Sequence, residues 1–320
     1  MKKLNTAIAV LALAVTGAVN AGQITSWTYI NEAGFINPVG AIGSGEAQGT
    51  VLTGTAFEEL TWGLALSNGS GGPYINGGVD DLQSSLESDT PQSGTIFTNG
   101  PAVQGTNLIH NNWVVAFAGG TLATTSFLDG LSLVPAEVDG SAIPAGPALL
   151  APELEFQFEF IETTNHVDYS RSGTTVNSNI LDGSITCPDG TQNGTGENTN
   201  GCADIFAVSS TGGAVFTQVM GNLEIASTFP IELDGDTFIY TVTTVLSGLT
   251  LLTDQACIAV GLGAGCNGFV TPEEQVNTLD AQFIITSEFV PVQVAAPSTL
   301  AIFGLGLIGL GGLARRKSNK

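Results

Sequence analysis

Between Leu154 and Phe160 apolar and polar positions alternate without a break, Leu154-Glu155-Phe156-Gln157-Phe158-Glu159-Phe160. A period of two places the aromatic residues on one face of a β-strand and the acids and the amide on the other. Gln23 to Ile30, Thr106 to Phe117, Leu122 to Val134, Ala203 to Val208, Asn222 to Phe229, Thr237 to Val245 and Gln282 to Val290 carry related strand signals. Asp234-Gly235, just ahead of Thr237, is the residue pair of a two-residue hairpin turn. Helical periodicity is nearly absent. Thr271-Pro272-Glu273-Glu274 has the form of a capping box with proline at the first helical position, which predicts one short helix from Pro272. Long polar connections, Ser67 to Gly78 and Asn177 to Gly201, interrupt the strands. About eight or nine strands of this kind predict an all-β domain, an antiparallel β-sandwich of jelly-roll-like form. The 42 glycines in 320 residues suit such a turn-rich chain.

The two ends follow another pattern. Lys2 and Lys3 precede an apolar run to Val19, and Val19-Asn20-Ala21 precedes Gly22. A positive start, an apolar stretch and small residues before a cut define a secretory signal peptide, cleaved between Ala21 and Gly22. At the other end, Phe289 to Ala314 carries no charged side chain, and Arg315, Arg316, Lys317 and Lys320 follow. Apolar residues enter hydrocarbon and the cations stay on the cytoplasmic side, so this reads as a membrane anchor with a stop. As a helix, Leu300 to Ala314 rises only about 22 Å against a hydrocarbon core of about 30 Å. The expected organisation is a signal peptide over 1–21, an acidic β-rich extracytoplasmic domain over 22–289, and a tail over 290–320.

Within that tail, Ala296-Pro297-Ser298-Thr299-Leu300 stands immediately before the apolar run and the basic residues. This tripartite arrangement resembles the PEP-CTERM sorting signal of exported bacterial proteins, with Ala295 and Ala296 in place of the usual first Pro and the Glu. An ordinary tail anchor is the alternative. The resemblance implies recognition by an exosortase-type membrane enzyme, cleavage near the motif, and association with a cell surface or exopolysaccharide matrix. Leu108-Ile109-His110-Asn111-Asn112 is similar to the motif of a PEP-CTERM subgroup named for Thr-His-x-Asn, with Ile109 where Thr is usual. Cys202-Ala203-Asp204-Ile205-Phe206 and the stretch from Cys257 through Cys266 to Asn277 also resemble that subgroup. The resemblance implies location and architecture and no chemistry.

Charge narrows the partners. All 29 acidic residues lie between Glu32 and Glu288, and Arg171 is the one Lys or Arg among them, so the ectodomain carries 28 net negative charges. Such a field repels phosphate backbones and excludes nucleic acid as a partner. Carboxylates without cationic side chains need water or divalent cations.

Four cysteines fall into two local pairs, Cys187 with Cys202 and Cys257 with Cys266. Outside the cytoplasm they should be bridged. Three connectivities exist, and local pairing across the two Gly-rich loops is favoured. A zinc site from four thiols lacks the Cys-x-x-Cys spacing.

Several candidate chemistries can be weighed. His110, with Asn112, could orient a substrate or a metal; the plainer reading is a strand or turn residue bonded to backbone. Only His166 accompanies it, so no transition-metal cluster can be assembled from neighbours in sequence. No Gly-x-Ser-x-Gly elbow marks a nucleophile. Glu58, Glu59, Glu153, Glu155 and Glu159 suggest glycosidase carboxylates only by their abundance. Gly304 to Gly309 and Gly263 to Gly268 match the dinucleotide fingerprint, but neither lies in a βαβ unit. No cofactor is expected except calcium: Asp189, Asn193 and Glu197 lie in a Gly-rich, oxygen-bearing loop closed by Cys187 and Cys202. The plain alternative there is a polar loop.

The sequence therefore predicts a non-catalytic exported surface or matrix protein. Its partners would be signal peptidase, an exosortase-type enzyme and extracellular polysaccharide, with the C-terminal helix holding an inner-membrane intermediate. A carbohydrate-binding or carbohydrate-active module is the alternative, for which Trp27, Trp62 and Trp113 would have to supply aromatic platforms.

Overall fold

A computed structural model of the chain describes residues 22–46, 51–52, 54–65, 83–113, 115–116, 120–151, 153–163, 185–199, 201–210, 215–219, 222–233, 236–273 and 275–290. The signal peptide with Ala21, the sorting motif Ala296 to Leu300, and Arg315, Arg316 and Lys317 lie outside these residues, as do Arg171 and His166. Among the described residues no helix is long and apolar enough to cross a membrane.

Two antiparallel sheets make up the domain. The first runs β18 (Thr250–Leu251), β19 (Asn267–Thr271), β14 (Asp204–Ser210), β13 (Leu154–Ile161), β10 (Thr124–Val138), β1 (Ile24–Val39) and β6 (Gln92–Phe97). The short β11 (Ser141–Ala142) and β12 (Leu149–Leu150) attach to β10. The second runs β15 (Thr217–Val219), β16 (Asn222–Leu233), β17 (Asp236–Ser247), β20 (Gln275–Val290), β8 (Leu108–Asn112), β5 (Ser84–Ser88), β3 (Glu59–Trp62) and β2 (Ile42–Ser44), with β7 (Val103–Gln104) on β20. β4 (Leu64–Ala65) pairs with β9 (Val115–Ala116) in a separate ribbon.

Alternation decides which side chains meet. On β13 Phe156, Phe158 and Phe160 are buried while Glu155 and Gln157 are exposed, as the period of two requires. These phenyl groups, with Phe35 of β1, Phe127 of β10 and Phe206 of β14, pack against Leu60, Trp62, Leu86, Leu108, Leu246 and Leu279 of the second sheet. A second cluster joins Trp27, Tyr29, Ile96 and Leu133 of the first sheet to Phe238, Tyr240, Phe283 and Ile285 of the other. Side chains from both sheets interdigitate, which makes the domain a β-sandwich. Pairing Leu233↔Asp236 joins β16 to β17 as a hairpin; the predicted Asp234-Gly235 turn itself lies outside the described residues.

The predicted helix from Pro272 does not form. Thr271 pairs with Asp204 and Gln275 with Asn112, so only three residues separate two ladder-bound strands, and Pro272 and Glu273 are not helical. The helix among the described residues is instead α1 (Asp254–Ala259). Thr253 caps it, its Oγ1 accepting from the Ala256 N–H at 3.1 Å. Ala256 and Cys257 bury against Ile205 and Ala207, the side chains of β14 that point away from the inter-sheet core.

Both local disulfides are present, Cys187–Cys202 and Cys257–Cys266. The second closes the segment carrying the Gly263 to Gly268 fingerprint, which is a turn into β19. Gly268 is required by packing: a Cβ there would sit 2.0 Å from the Phe206 carbonyl oxygen.

Candidate functional site

Inward-facing positions on five strands change from apolar to polar at one end of the sandwich. On β13 the buried series Phe156, Phe158, Phe160 continues past the strand to Glu162. On β14 the partner of that parity is Asp204, two residues from the buried Phe206. On β19 it is Thr271, paired directly with Asp204, and then Glu273 in the following connection. Across the core, β8 supplies Leu108, His110 and Asn112, and β3 supplies Leu60 and Trp62, all buried. Neighbouring strands in register thus bring together residues far apart in sequence.

Glu162, Asp204 and Glu273 converge there. One carboxylate oxygen from each lies within 4.8 Å of the other two, and the residues are 7%, 0% and 0% exposed. Trp62 donates its indole N–H to Glu162 Oε2 at 2.7 Å. The Thr163 backbone N–H donates to Asp204 Oδ1 at 2.7 Å, and the Thr163 hydroxyl donates to the Cys202 carbonyl. The Asn112 amide lies against the Glu273 carboxylate. Its Nδ2 donates to the Thr271 carbonyl at 2.9 Å, while its Oδ1, fully buried, has no hydrogen-bond partner.

His110 braces this cluster from the core side. Its ring stacks on Trp62 at 5.4 Å and meets Phe206 edge-on at 4.9 Å. The Thr271 hydroxyl is placed to donate to the Asp204 carbonyl at 3.3 Å and to accept from His110 Nδ1 at 2.9 Å. That arrangement selects the Nδ1–H tautomer and leaves Nε2 as a buried acceptor without a partner. Burial lowers the His110 pKa to about 3, so the ring is neutral. The same burial, reinforced by the charge of Glu162, holds Asp204 well above the ordinary carboxyl range. Glu273 is raised likewise, by burial and then by Asp204 and Glu162. Among the described residues there is no Lys or Arg to offset them.

The other predicted sites fare differently. In the 187–202 loop, both oxygens of Asp189 accept from the Thr191 hydroxyl, and Asp189 also accepts from the Thr191 N–H and Asn198 Nδ2. Asn193 Oδ1 accepts from the Ile185 N–H at 3.0 Å, and Glu197 is exposed. The Asp189 carboxylate and the Asn193 side-chain oxygen help to shape the loop, which is tied to α1 through the Thr253 hydroxyl donating to the Asp189 carbonyl at 2.7 Å. Glu58, Glu59, Glu153 and Glu159 are half-buried and Glu155 is exposed; Glu155 and Glu159 share the outward face of β13, while Glu58 and Glu59 lie at the start of β3 in the other sheet. Trp27 and Trp62 are core residues and Trp113 is half-buried. Sequence reasoning missed Glu162, Asp204 and Glu273. The available signal was the inward parity of Glu162 behind three phenylalanines, a carboxylate on an apolar face.

Compared with models of known protein families and with curated proteins, the chain matches none.

Proposed function

We propose that the chain is a non-catalytic exported bacterial surface or extracellular-matrix protein, delivered by a signal peptide and processed at its tail by an exosortase-type enzyme. The observation that carries the reading is the tail: a Pro-Ser-Thr-Leu motif, an uncharged apolar run and a basic end, in that order. Among the described residues β20 runs up to Val290, and the tail follows it in the sequence. Two disulfides and a domain with 28 net negative charges suit an oxidising, hydrated exterior. A non-catalytic role is supported by the sealing of the carboxylate cluster, whose three side chains are nearly or fully buried and out of reach of a polymeric substrate. Extracellular polysaccharide is the partner this reading favours. The carbohydrate-binding alternative must do without Trp27 and Trp62 as platforms, since both are spent in the core.

Intact-mass measurement on protein recovered from the cell surface tests the proposal. The expected species begins at Gly22 and lacks Arg315 and Arg316. Surface protein that retains the basic end rules out processing of the tail.

A further inference from the structure

The segment leading into β1 is tied to both sheets. The Gln23 N–H donates to Asp139 Oδ1 at 2.9 Å, and the Asp139 N–H donates back to the Gln23 carbonyl at 2.9 Å. The Gly140 N–H donates to Thr25 Oγ1 at 3.0 Å. From the second sheet, the Tyr240 hydroxyl accepts from the Ile24 N–H at 2.9 Å, and the Ser287 hydroxyl accepts from Gln23 Nε2. Asp139 stands in the two-residue turn between β10 and β11, at a φ of 49° that Asp and Asn tolerate better than other side chains. Gly22 packs onto the same turn. A Cβ on Gly22 would lie 2.3 Å from Val138 Cγ1 and 2.8 Å from Asp139 Oδ2. The Gly22 nitrogen is two bonds from that position, so it lies within about 5 Å of the carboxylate oxygen. In the uncut chain this nitrogen is a neutral amide. Hydrolysis of the Ala21–Gly22 bond by water leaves a carboxylate on Ala21 and an ammonium on Gly22. Opposite charges within about 4–6 Å favour the charged forms of both groups.

We infer that Asp139 is the receptor for the α-ammonium group that cleavage creates at Gly22, and that their ion pair clamps the start of the exported chain onto the β10–β11 turn. The Gln23 N–H holds Oδ1 and the ammonium takes Oδ2, so one carboxylate grips two successive nitrogens of the new chain end. Glycine suits the first position because a side chain there would collide with Val138. The new charge also matters to the domain as a whole, since Arg171 is the one Lys or Arg between Gly22 and Phe289. Removal of the leader thus completes the fold as well as releasing the chain. The inference rests on the proposed cleavage between Ala21 and Gly22 and is independent of processing of the tail.

The test uses the full chain exported with its disulfides formed, its N-terminus read by intact mass. Parent and D139N are acetylated at neutral pH, and the Gly22 α-amine is followed by peptide mass mapping. Asparagine keeps an Oδ1 acceptor for Gln23 and tolerates the positive φ, so D139N preserves the turn and removes the charge; the peptide masses also confirm that the new amide has not hydrolysed. The parent's α-amine should react about three to ten times more slowly than that of D139N, as a pKa raised by about half a unit to one unit requires. Complete acetylation should lower the parent's melting temperature by about 1–3 °C more than that of D139N, the size of an exposed ion pair. Lys317 and Lys320, where retained, are acetylated alike in both proteins and cancel in the comparison. Equal reactivity, or equal melting shifts, in chains that begin at Gly22 overturns the inference and leaves the cleavage reading intact. An exported chain that begins at another residue overturns the cleavage reading and the inference with it.

Discussion

Trp62 and Glu162, one from each sheet, meet inside the sandwich through an indole N–H to carboxylate bond of 2.7 Å. The pair sits on the boundary between apolar core and carboxylate cluster, and it fixes the rotamer of one member of that cluster. W62F keeps most of the packing against His110 and Phe160 but removes the donor. A hydrogen bond to a charged group contributes about 1.5–3 kcal/mol, so W62F should lower unfolding stability by that amount in urea melts at pH 7. A loss below about 0.5 kcal/mol would mean that the bond contributes nothing net.

The buried carboxyls make a signed prediction about pH. Asp204 and Glu273 bind protons more tightly folded than unfolded. Their contribution is complete below the unfolded carboxyl range, about pH 4, and is lost as pH rises. Asp129, raised to about 6 by burial against the opposing bond from Asn31, behaves the same way between about pH 4 and 6. His110, with a folded pKa of about 3, works in the opposite sense: it stabilises above about 6.5 and loses that contribution as pH falls. Above about pH 6.5 His110 adds no further pH dependence. As pH rises above about 4, thermal stability should lose the contribution of Asp204 and Glu273, and the D204N/E273Q double variant should lose less than the parent. An unchanged slope in the double variant would place the pH dependence elsewhere.

The disulfides should differ in their structural reach. Cys187–Cys202 closes a loop of about 15 residues, worth about 3 kcal/mol in the chain-entropy view. It also sets the backbone beside the cluster, because the Cys202 carbonyl accepts from Thr163 two residues before Asp204. Replacing both cysteines by alanine should lower stability by about that amount. The corresponding change at Cys257 and Cys266, which close a shorter loop of 9 residues and pack with α1 on the outer face of β14, should cost less. Urea melts of the two variants decide it.

At Gly268 the constraint is steric. A methyl group would meet the Phe206 carbonyl oxygen at 2.0 Å and Ala207 Cα at 2.9 Å, both backbone. Because the neighbouring strand cannot move without breaking Ala207↔Gly268 pairing, G268A should cost at least about 2 kcal/mol and reduce the yield of exported protein. A yield and melting temperature equal to the parent would show that β19 can shift.

Particular residues show what the sequence could and could not disclose. Period-two alternation from Leu154 to Phe160 reported its own burial pattern faithfully, because a strand with one core face has only two faces to choose between. The cysteine pairs were legible for a similar reason: each is local. Glu273 was hidden by its neighbours. Thr271-Pro272-Glu273-Glu274 satisfies the local chemistry of a helix cap, but tertiary pairing on both sides overrides it. Asp204 and Glu162 became partners only through the register of β13 on β14, where Phe160↔Phe206 and Ile161↔Ile205 lead to them. No spacing along the chain encodes that register. At Asp189 the sequence shows an oxygen-rich loop, and the structure adds what spacing could not, the N–H and hydroxyl groups of the same loop that bond to its carboxylate.

Intact-mass measurement on protein recovered from the cell surface tests the central claim most directly. The account predicts a chain that begins at Gly22, lacks Arg315 and Arg316 and carries two disulfides. A surface species that retains Arg315 and Arg316 would contradict it.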